Sequence, residues 1–213
     1  MIDDTGERVI PEYMKPDNSL LLEHLARYDF AKPYAKGRVL DLACGSGYGA
    51  KMITKARKNQ ISETLGVDAD PKIVEYARKT YHHPLLHFKT GDALNPDLTD
   101  GIGTFNTILS FETIEHVPDD QAFLTALVKL LKPGGTLVLS TPFGDGRGIP
   151  SGSPFHYHQL TETEFHQLVH DDGYNFDHVD VYLQNGVAIE REKRGGVHYP
   201  LGIAVCRKSA SST

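Results

Sequence analysis

Short apolar runs alternate with amphipathic stretches through most of the chain, and this alternation limits the possible folds more than any other feature. Five runs predict strands, at residues 38–42, 64–68, 86–89, 105–110 and 136–140. Helices are expected between them, at 50–58, from Pro71 onward, and at 119–131. Strands that alternate with helices in this way are typical of a parallel sheet covered on both faces.

The two ends of the chain follow a different pattern. Residues 179–183 and 203–206 predict two strands with no clear helix between them, which favours an antiparallel pair at a sheet edge. Ser19 is expected to cap a helix that runs from Leu20 toward Ala35, and a capping-box pattern begins a helix at 161–169. The prediction is a seven-stranded, mostly parallel α/β sheet flanked by helices, with an antiparallel C-terminal strand pair.

Composition excludes several classes of protein. The 213 residues include 39% apolar and 23% charged residues, as expected of one globular domain. The net charge of −6 disfavours a broad nucleic-acid surface. No apolar run approaches the ~18 residues of a membrane span, the first residues lack the order of a signal peptide, and two cysteines do not make a disulfide framework. These features predict a cytoplasmic protein without a membrane partner.

A glycine-bearing turn follows the first predicted strand and opens a helix, which is where nucleotide-binding sheets place their ligands. The spacing of Gly45, Gly47 and Gly49 differs from that of a dehydrogenase turn. Asp41 at the end of the strand would repel a pyrophosphate and attract a cationic, amino-bearing ligand. Asp68 ends the second strand, where a carboxylate can bind both ribose hydroxyls. Asp92, after the third strand, lies within reach of an adenine amino group.

A second group of polar residues follows the fourth strand. Glu112, Glu115 and His116 stand at i, i+3 and i+4, so a helical turn would point all three the same way. Two carboxylates and an imidazole make a metal half-site, and His156 follows forty residues later.

The motifs VLDLACGSGYG, GVDADP, GDA, LSFETIEHV and LKPGGTLVLSTP occur in this order over residues 37–142. In this they resemble the class I S-adenosylmethionine-dependent methyltransferases. The resemblance implies a Rossmann-like domain over residues 37–213 and a helical lead-in, residues 1–36, that covers the cofactor. It also implies S-adenosylmethionine as cofactor. The cofactor-binding residues implied or suggested are Arg27, Asp41, Ala43, Gly45, Gly47, Asp68, Ala69, Asp92, Ala93 and Ser110. For Arg27, which could bind the cofactor carboxylate, an exposed position on the helix is an equal alternative.

The Glu-x-x-Glu-His…His pattern indicates narrower groups within these methyltransferases. It is similar to that of small-RNA 2′-O-methyltransferases and, in its first part, of ubiquinone-pathway O-methyltransferases. That similarity implies a divalent metal, Mg, Mn, Fe or Co, bound by Glu112, Glu115, His116 and His156, with His116 and Glu115 as catalytic residues. Three alternatives stay open: His116 as a metal-free base, a purely structural role for these residues, and His158 in place of His156.

The sequence thus predicts methyl transfer from S-adenosylmethionine to a hydroxyl of a small molecule, with a divalent metal assisting. The alternatives are a metal-free O- or N-methyltransferase and a non-catalytic protein that binds S-adenosylmethionine. A nicotinamide dehydrogenase is disfavoured by Asp41 and the glycine spacing. Nucleic acid is not expected as a partner, because the chain is acidic, and neither the acceptor nor the oligomeric state is indicated.

Overall fold

A computed structural model of the protein describes residues 8–92 and 94–210, and it contains a single sheet. The strands are β1 Gly37–Leu42, β2 Ile61–Asp68, β3 Leu86–Thr90, β4 Phe105–Phe111, β5 Leu131–Pro142, β6 Phe176–Asn185, β7 Ala188–Glu190 and β8 Leu201–Lys208. The α-helices are α1 Ser19–Ala31, α2 Tyr48–Arg57, α3 Pro71–Thr80, α4 Pro96–Ile102, α5 Asp120–Leu130 and α6 Glu162–Val169. Short 3-10 helices lie at Pro11–Tyr13, Lys32–Tyr34, Ile114–His116 and Asp172–Tyr174.

The strand order is β3-β2-β1-β4-β5-β8-β6-β7. The first five strands are parallel to one another, and β8 runs antiparallel to both β5 and β6. The predicted mostly parallel sheet with an antiparallel C-terminal pair is therefore confirmed. The carboxyl ends of β1, β2 and β4 meet at one edge of this sheet, and the polar residues singled out above follow those ends.

The predicted count of seven strands is corrected to eight. The additional strand, β7, forms an antiparallel hairpin with β6 around a two-residue turn at Gly186 and Val187. Gly186 has φ +57°, a conformation that such turns require and that glycine adopts without steric cost. β7 lies outside β6, so β6 is not the edge strand.

Several predicted helix ends shift. α1 is capped by Asn18, whose side chain accepts a hydrogen bond from the Leu21 amide, and Ser19 is already the first helical residue. α1 ends at Ala31 rather than near Ala35, because a proline-containing 3-10 turn follows. α4 was not predicted, since its seven residues carry too few apolar side chains to show a helical period.

Neighbouring residues of the central strands pack on opposite faces of the sheet. Leu40 of β1 and Ile108 of β4 belong to an apolar cluster that also contains residues of α5 and α6. Val39 and Leu109, one position away in each strand, belong to a second cluster that contains Tyr28 of α1. Burial on both faces explains why these strands are continuously apolar. Among the described residues, no helix combines the length and apolar character needed to cross a membrane.

The glycine-bearing turn connects β1 to α2. Gly47 caps the helix with φ +87°, and a Cβ there would lie 2.7 Å from the Phe88 ring. A Cβ on Gly49 would lie 1.9 Å from the Tyr28 ring, so α1 packs directly against the first turn of α2. Close approach of α1 to this turn therefore requires glycine.

We expect Gly49→Ala to destabilise the protein by about 1–3 kcal/mol, the usual range for overpacking a core, because the buried Tyr28 ring must move. Gly195→Ala is a matched control, since an added Cβ there meets no atom within 4 Å. Urea unfolding of both variants measures the difference, and equal free energies of unfolding would contradict the packing described.

Candidate active site

Two adjoining cavities open at the carboxyl ends of β1, β2 and β4. The first has a volume of about 520 Å³ and the second about 410 Å³. Ala43, Asp68, Glu112 and His116 line both, so the two cavities share a wall.

Asp68 lines both cavities and contacts the glycine turn. Its Oδ2 accepts a hydrogen bond from the Gly45 amide at 2.8 Å, and its Oδ1 accepts one from the Asp70 amide at 3.0 Å. These bonds fix the plane of the carboxylate. Each oxygen keeps a further lone pair for a ligand hydroxyl.

Asp41 lies beneath the turn, only 1% exposed, and lines neither cavity. The Tyr28 hydroxyl lies 3.2 and 3.1 Å from its two carboxylate oxygens. Burial raises the pKa of Asp41 to about 7, although the hydrogen bond from Tyr28 opposes this shift.

The second cavity is lined by Ala69 after β2 and by Gly91 and Asp92 after β3. The Oδ1 of Asp92 accepts a hydrogen bond from the Leu94 amide at 2.9 Å, which holds this turn. Ala93, predicted as a cofactor contact, lies outside the described residues. Gly47 and the fully buried Ser110 lie behind the cavity walls.

Arg27 is 1% exposed, so the alternative of an exposed helix arginine is wrong. Its Nη2 forms an ion pair with Glu112, and its Nη1 donates to Oε1 of Gln184 on β6 at 2.9 Å. Arg27 lines neither cavity. It lies behind Glu112 and compensates the charge of that carboxylate.

Glu112 follows β4 directly and adopts a left-handed backbone conformation with φ +47°. Its Oε2 lies 3.4 Å from Nε2 of His24. Burial raises the pKa of Glu112, but the hydrogen bond from His24 and the charge of Arg27 outweigh burial and lower that pKa to about 2. Glu112 thus stays ionised and is directed toward α1, because it precedes the 3-10 helix Ile114–His116 and does not share a helical turn with Glu115 and His116 as expected.

Glu115, His116 and His156 form the cluster that the sequence pattern predicts, without Glu112. One potential ligand atom from each of the three lies within 4.8 Å of the others. The 3-10 helix Ile114–His116 supplies two of them, and the segment after β5 supplies the third. All three line the first cavity.

Glu115 is 1% exposed, and its Oε2 accepts a hydrogen bond from the Thr141 hydroxyl at 3.1 Å. Burial first, and then the negative charge of Glu112, raise the pKa of Glu115 to about 8. Two neighbouring carboxylates therefore have pKa values on opposite sides of neutrality. A positive charge beside Glu115 would favour its ionised form.

His116 is oriented by the backbone. Its Nδ1 lies 3.0 Å from the Phe155 carbonyl oxygen, which can only accept, so Nδ1–H donates this bond and, in the neutral ring, Nε2 carries the lone pair. The rings of His116 and His156 meet edge to face at 4.7 Å. His158, the alternative partner, lies elsewhere, with its Nε2 3.8 Å from Asp120, and residues 156–158 form no strand.

Other lining residues were not singled out from the sequence. Leu20, His24 and Tyr28 of α1 line the first cavity at intervals of four residues, a helical stripe that could have been found from its period. Cys44, Tyr48, Phe111 and Phe155 complete much of the wall. Phe155 carries no local signal, because it reaches the cavity through a long loop.

We expect Glu115→Gln to change how stability depends on pH. Between the ordinary pKa of 4.5 and the folded value of about 8, the folded protein keeps a proton that the unfolded chain releases. Wild-type stability therefore falls as pH rises through that window, and glutamine removes this loss. In EDTA, the Tm of the variant relative to wild type should increase by several degrees from about pH 4.5 to about pH 8.

The exposed substitution Glu192→Gln is the control for this comparison. A Tm difference for Glu115→Gln that does not change with pH would show that Glu115 is ionised in the folded protein throughout.

Comparison with known proteins agrees with this geometry. A family model described as a methyltransferase domain matches residues 40–139. A Mycolicibacterium smegmatis protein named "Probable S-adenosylmethionine-dependent methyltransferase" is 31% identical over 198 residues, which are 90% of this chain and 73% of that protein. A ubiquinone biosynthesis O-methyltransferase of Cereibacter sphaeroides is 33% identical over 109 residues, which are 51% of this chain and 42% of that protein.

Among solved structures, the complex between the Haloferax volcanii Trm112 methyltransferase activator and a methyltransferase matches with a TM-score of 0.68. The match covers 90% of this chain and 92% of that chain at 17% identity, so it supports the fold alone. The sheet order, the cavities at the strand ends and the similarity over most of the chain agree: the chain belongs to the S-adenosylmethionine-dependent methyltransferases.

Proposed function

We propose that this methyltransferase acts on a hydroxyl group of a small molecule, and that a divalent cation held by Glu115, His116 and His156 assists the transfer. The observation that carries the proposal is the position of these three residues. They line the same cavity as the glycine turn and Asp68, so groups suited to a cation and groups suited to the cofactor share one space.

The cavities fit S-adenosylmethionine. The turn at Ala43 and Gly45 offers close backbone approach, Asp68 offers two acceptor oxygens for ribose hydroxyls, and Ala69 and Asp92 border the second cavity. When bound, S-adenosylmethionine supplies a methyl group on a positively charged sulfur. Residues 8–36 add Arg8, Leu20, His24 and Tyr28 to the first cavity, which supports the proposed role of this segment as a cover for the cofactor.

The cluster fits a divalent cation. One carboxylate and two imidazoles are suitable ligands for Mn²⁺, Fe²⁺ or Co²⁺, and less so for Mg²⁺, which prefers oxygen. The Nδ1–H group of His116 donates a hydrogen bond to the Phe155 backbone carbonyl, which leaves Nε2 as the candidate metal ligand. This is the usual arrangement of a metal-binding histidine. When bound, a divalent cation supplies Lewis acidity that lowers the pKa of a hydroxyl group.

The ionised Glu112 is assigned a different role. Arg27 and His24 hold its carboxylate on the α1 side of the cavity, and its charge raises the pKa of Glu115. Glu115 therefore prefers to be protonated until a cation binds. Glu112 would thus enlarge the change in Glu115 protonation between the cation-free and the cation-bound site.

O-Methylation is favoured by two observations together. The cluster suits an oxygen nucleophile, whose proton must be removed before transfer. One relative over half of this chain is named an O-methyltransferase. A metal-free reaction is the alternative mechanism, because the His116 tautomer places a basic Nε2 in the cavity.

We expect Asp68→Ala to weaken S-adenosylmethionine binding by about 10-fold to 100-fold, since charge-assisted hydrogen bonds contribute about 1.5–3 kcal/mol. Isothermal titration calorimetry measures the affinity. Glu75→Ala, at an exposed ion pair on α3, is the control. An unchanged affinity in folded Asp68→Ala would remove this carboxylate from the cofactor site.

We expect chelation by EDTA to abolish methyl transfer while the affinity for S-adenosylmethionine changes by less than about twofold, because Asp68 and the turn lie outside the cluster. Added Mn²⁺ should restore transfer. His156→Ala should lower Mn²⁺ affinity by about 10-fold or more, whereas the exposed His82→Ala should not. Full activity in excess EDTA would exclude the cation and leave His116 as the base.

A further inference from the structure

The loop that joins β5 to α6, residues 143–161, carries His156 and is closed at its base. The Gly144 amide donates to the Leu160 carbonyl oxygen at 3.0 Å, and Gly146 pairs with Gln159 as an isolated β-bridge. The two ends of the loop therefore lie side by side, and the residues between them form a compact Ω-like excursion over the first cavity.

An ion pair fastens this loop to the first turn of α5. The Nε and Nη2 atoms of Arg147 both lie 2.7 Å from Oδ2 of Asp120, which is 5% exposed. The Arg147 amide also donates to Glu164 of α6, at 3.2 Å. Charge-assisted bonds to a buried carboxylate are among the stronger polar contacts in a protein. Neither Arg147 nor Asp120 lines a cavity.

His158 completes the contact. Its Nε2 lies 3.8 Å from the same Asp120 oxygen, and this buried atom has no hydrogen-bond partner among the described residues. His158 therefore belongs to the attachment of the loop, not to the Glu115 cluster.

Residues 155–157 of the loop contact the cluster of Glu115, His116 and His156. The Tyr157 amide donates to the Glu115 carbonyl oxygen at 2.9 Å, and the Phe155 carbonyl accepts from Nδ1 of His116. His156 lies between these two contacts in sequence. The position of the loop thus determines both the tautomer of His116 and the approach of His156.

We propose that Arg147 and Asp120 are positioning residues of the active site: their ion pair holds the β5–α6 loop so that Phe155 fixes the His116 ring and His156 meets Glu115. The loop acts in this way whether His116 binds a cation or serves as a base. Only the measurement of Mn²⁺ affinity described below rests on the proposed function.

The test compares Arg147→Gln and Arg147→Lys with wild type, and Lys79→Gln, at an exposed ion pair on α3, is the matched control. Thermal unfolding establishes that each variant is folded. Long-range ¹H–¹⁵N spectra distinguish protonated from unprotonated ring nitrogens, and His116→Gln identifies the His116 signals. Mn²⁺ titration monitored by electron paramagnetic resonance measures cation affinity, and calorimetry measures S-adenosylmethionine affinity.

In folded Arg147→Gln, we expect the His116 Nδ1–H tautomer to be replaced by an average of both tautomers. We also expect Mn²⁺ affinity to fall about 10-fold, as is common when a group supporting a ligand is lost. S-Adenosylmethionine affinity should be unchanged, because the proposed cofactor contacts lie on the turns after β1, β2 and β3, outside this loop. Arg147→Lys should recover part of both losses, and Lys79→Gln should match wild type.

Wild-type His116 signals and wild-type Mn²⁺ affinity in folded Arg147→Gln would overturn the proposal. If wild type itself binds no Mn²⁺, the cation part of the proposed function fails. The His116 tautomer then decides alone, with an unchanged tautomer counting against the ion pair and an averaged one supporting it.

Discussion

The ion pair between the buried Arg27 and the partly exposed Glu112 determines the geometry on which the rest of the site depends. It joins α1 to the end of β4, and Gln184 extends the contact to β6. Because Glu112 is held in a left-handed conformation, the chain turns sharply after the strand and enters the 3-10 helix of Glu115 and His116. Strain at a non-glycine residue persists when surrounding contacts over-determine it, as they do here.

The same pair separates the chemistry of two carboxylates that lie three residues apart. Glu112 is ionised because the hydrogen bond from His24 and the Arg27 charge outweigh burial and lower its pKa, whereas burial and the charge of Glu112 raise the pKa of Glu115. Titratable neighbours with divergent pKa values are typical of sites in which each group has its own role. One side of the cavity therefore carries a fixed negative charge, and the carboxyl on the other side would ionise beside a cation, as proposed above.

The sequence predicted the fold well, because its strands and helices follow local patterns, and it predicted residues that line the cavities where a local pattern determines their position. Asp68 and the glycine turn lie where a strand ends and a helix follows, so their positions can be inferred from local sequence. The α1 residues that line the first cavity, Leu20, His24 and Tyr28, recur every four residues. The partners of Arg27 and His116 could not be predicted, since Gln184 and Phe155 reach them through long-range contacts. The left-handed turn at Glu112, which removes it from the cluster, likewise depends on tertiary packing and not on residue spacing.

The most direct test of the account is anomalous diffraction from crystals grown with Mn²⁺ and S-adenosylhomocysteine, recorded at the manganese absorption edge. The account predicts one strong anomalous peak in the first cavity within bonding distance of Glu115, His116 and His156, with the Arg27–Glu112 pair intact. A cavity with the nucleoside bound but no anomalous peak at these three residues would contradict it.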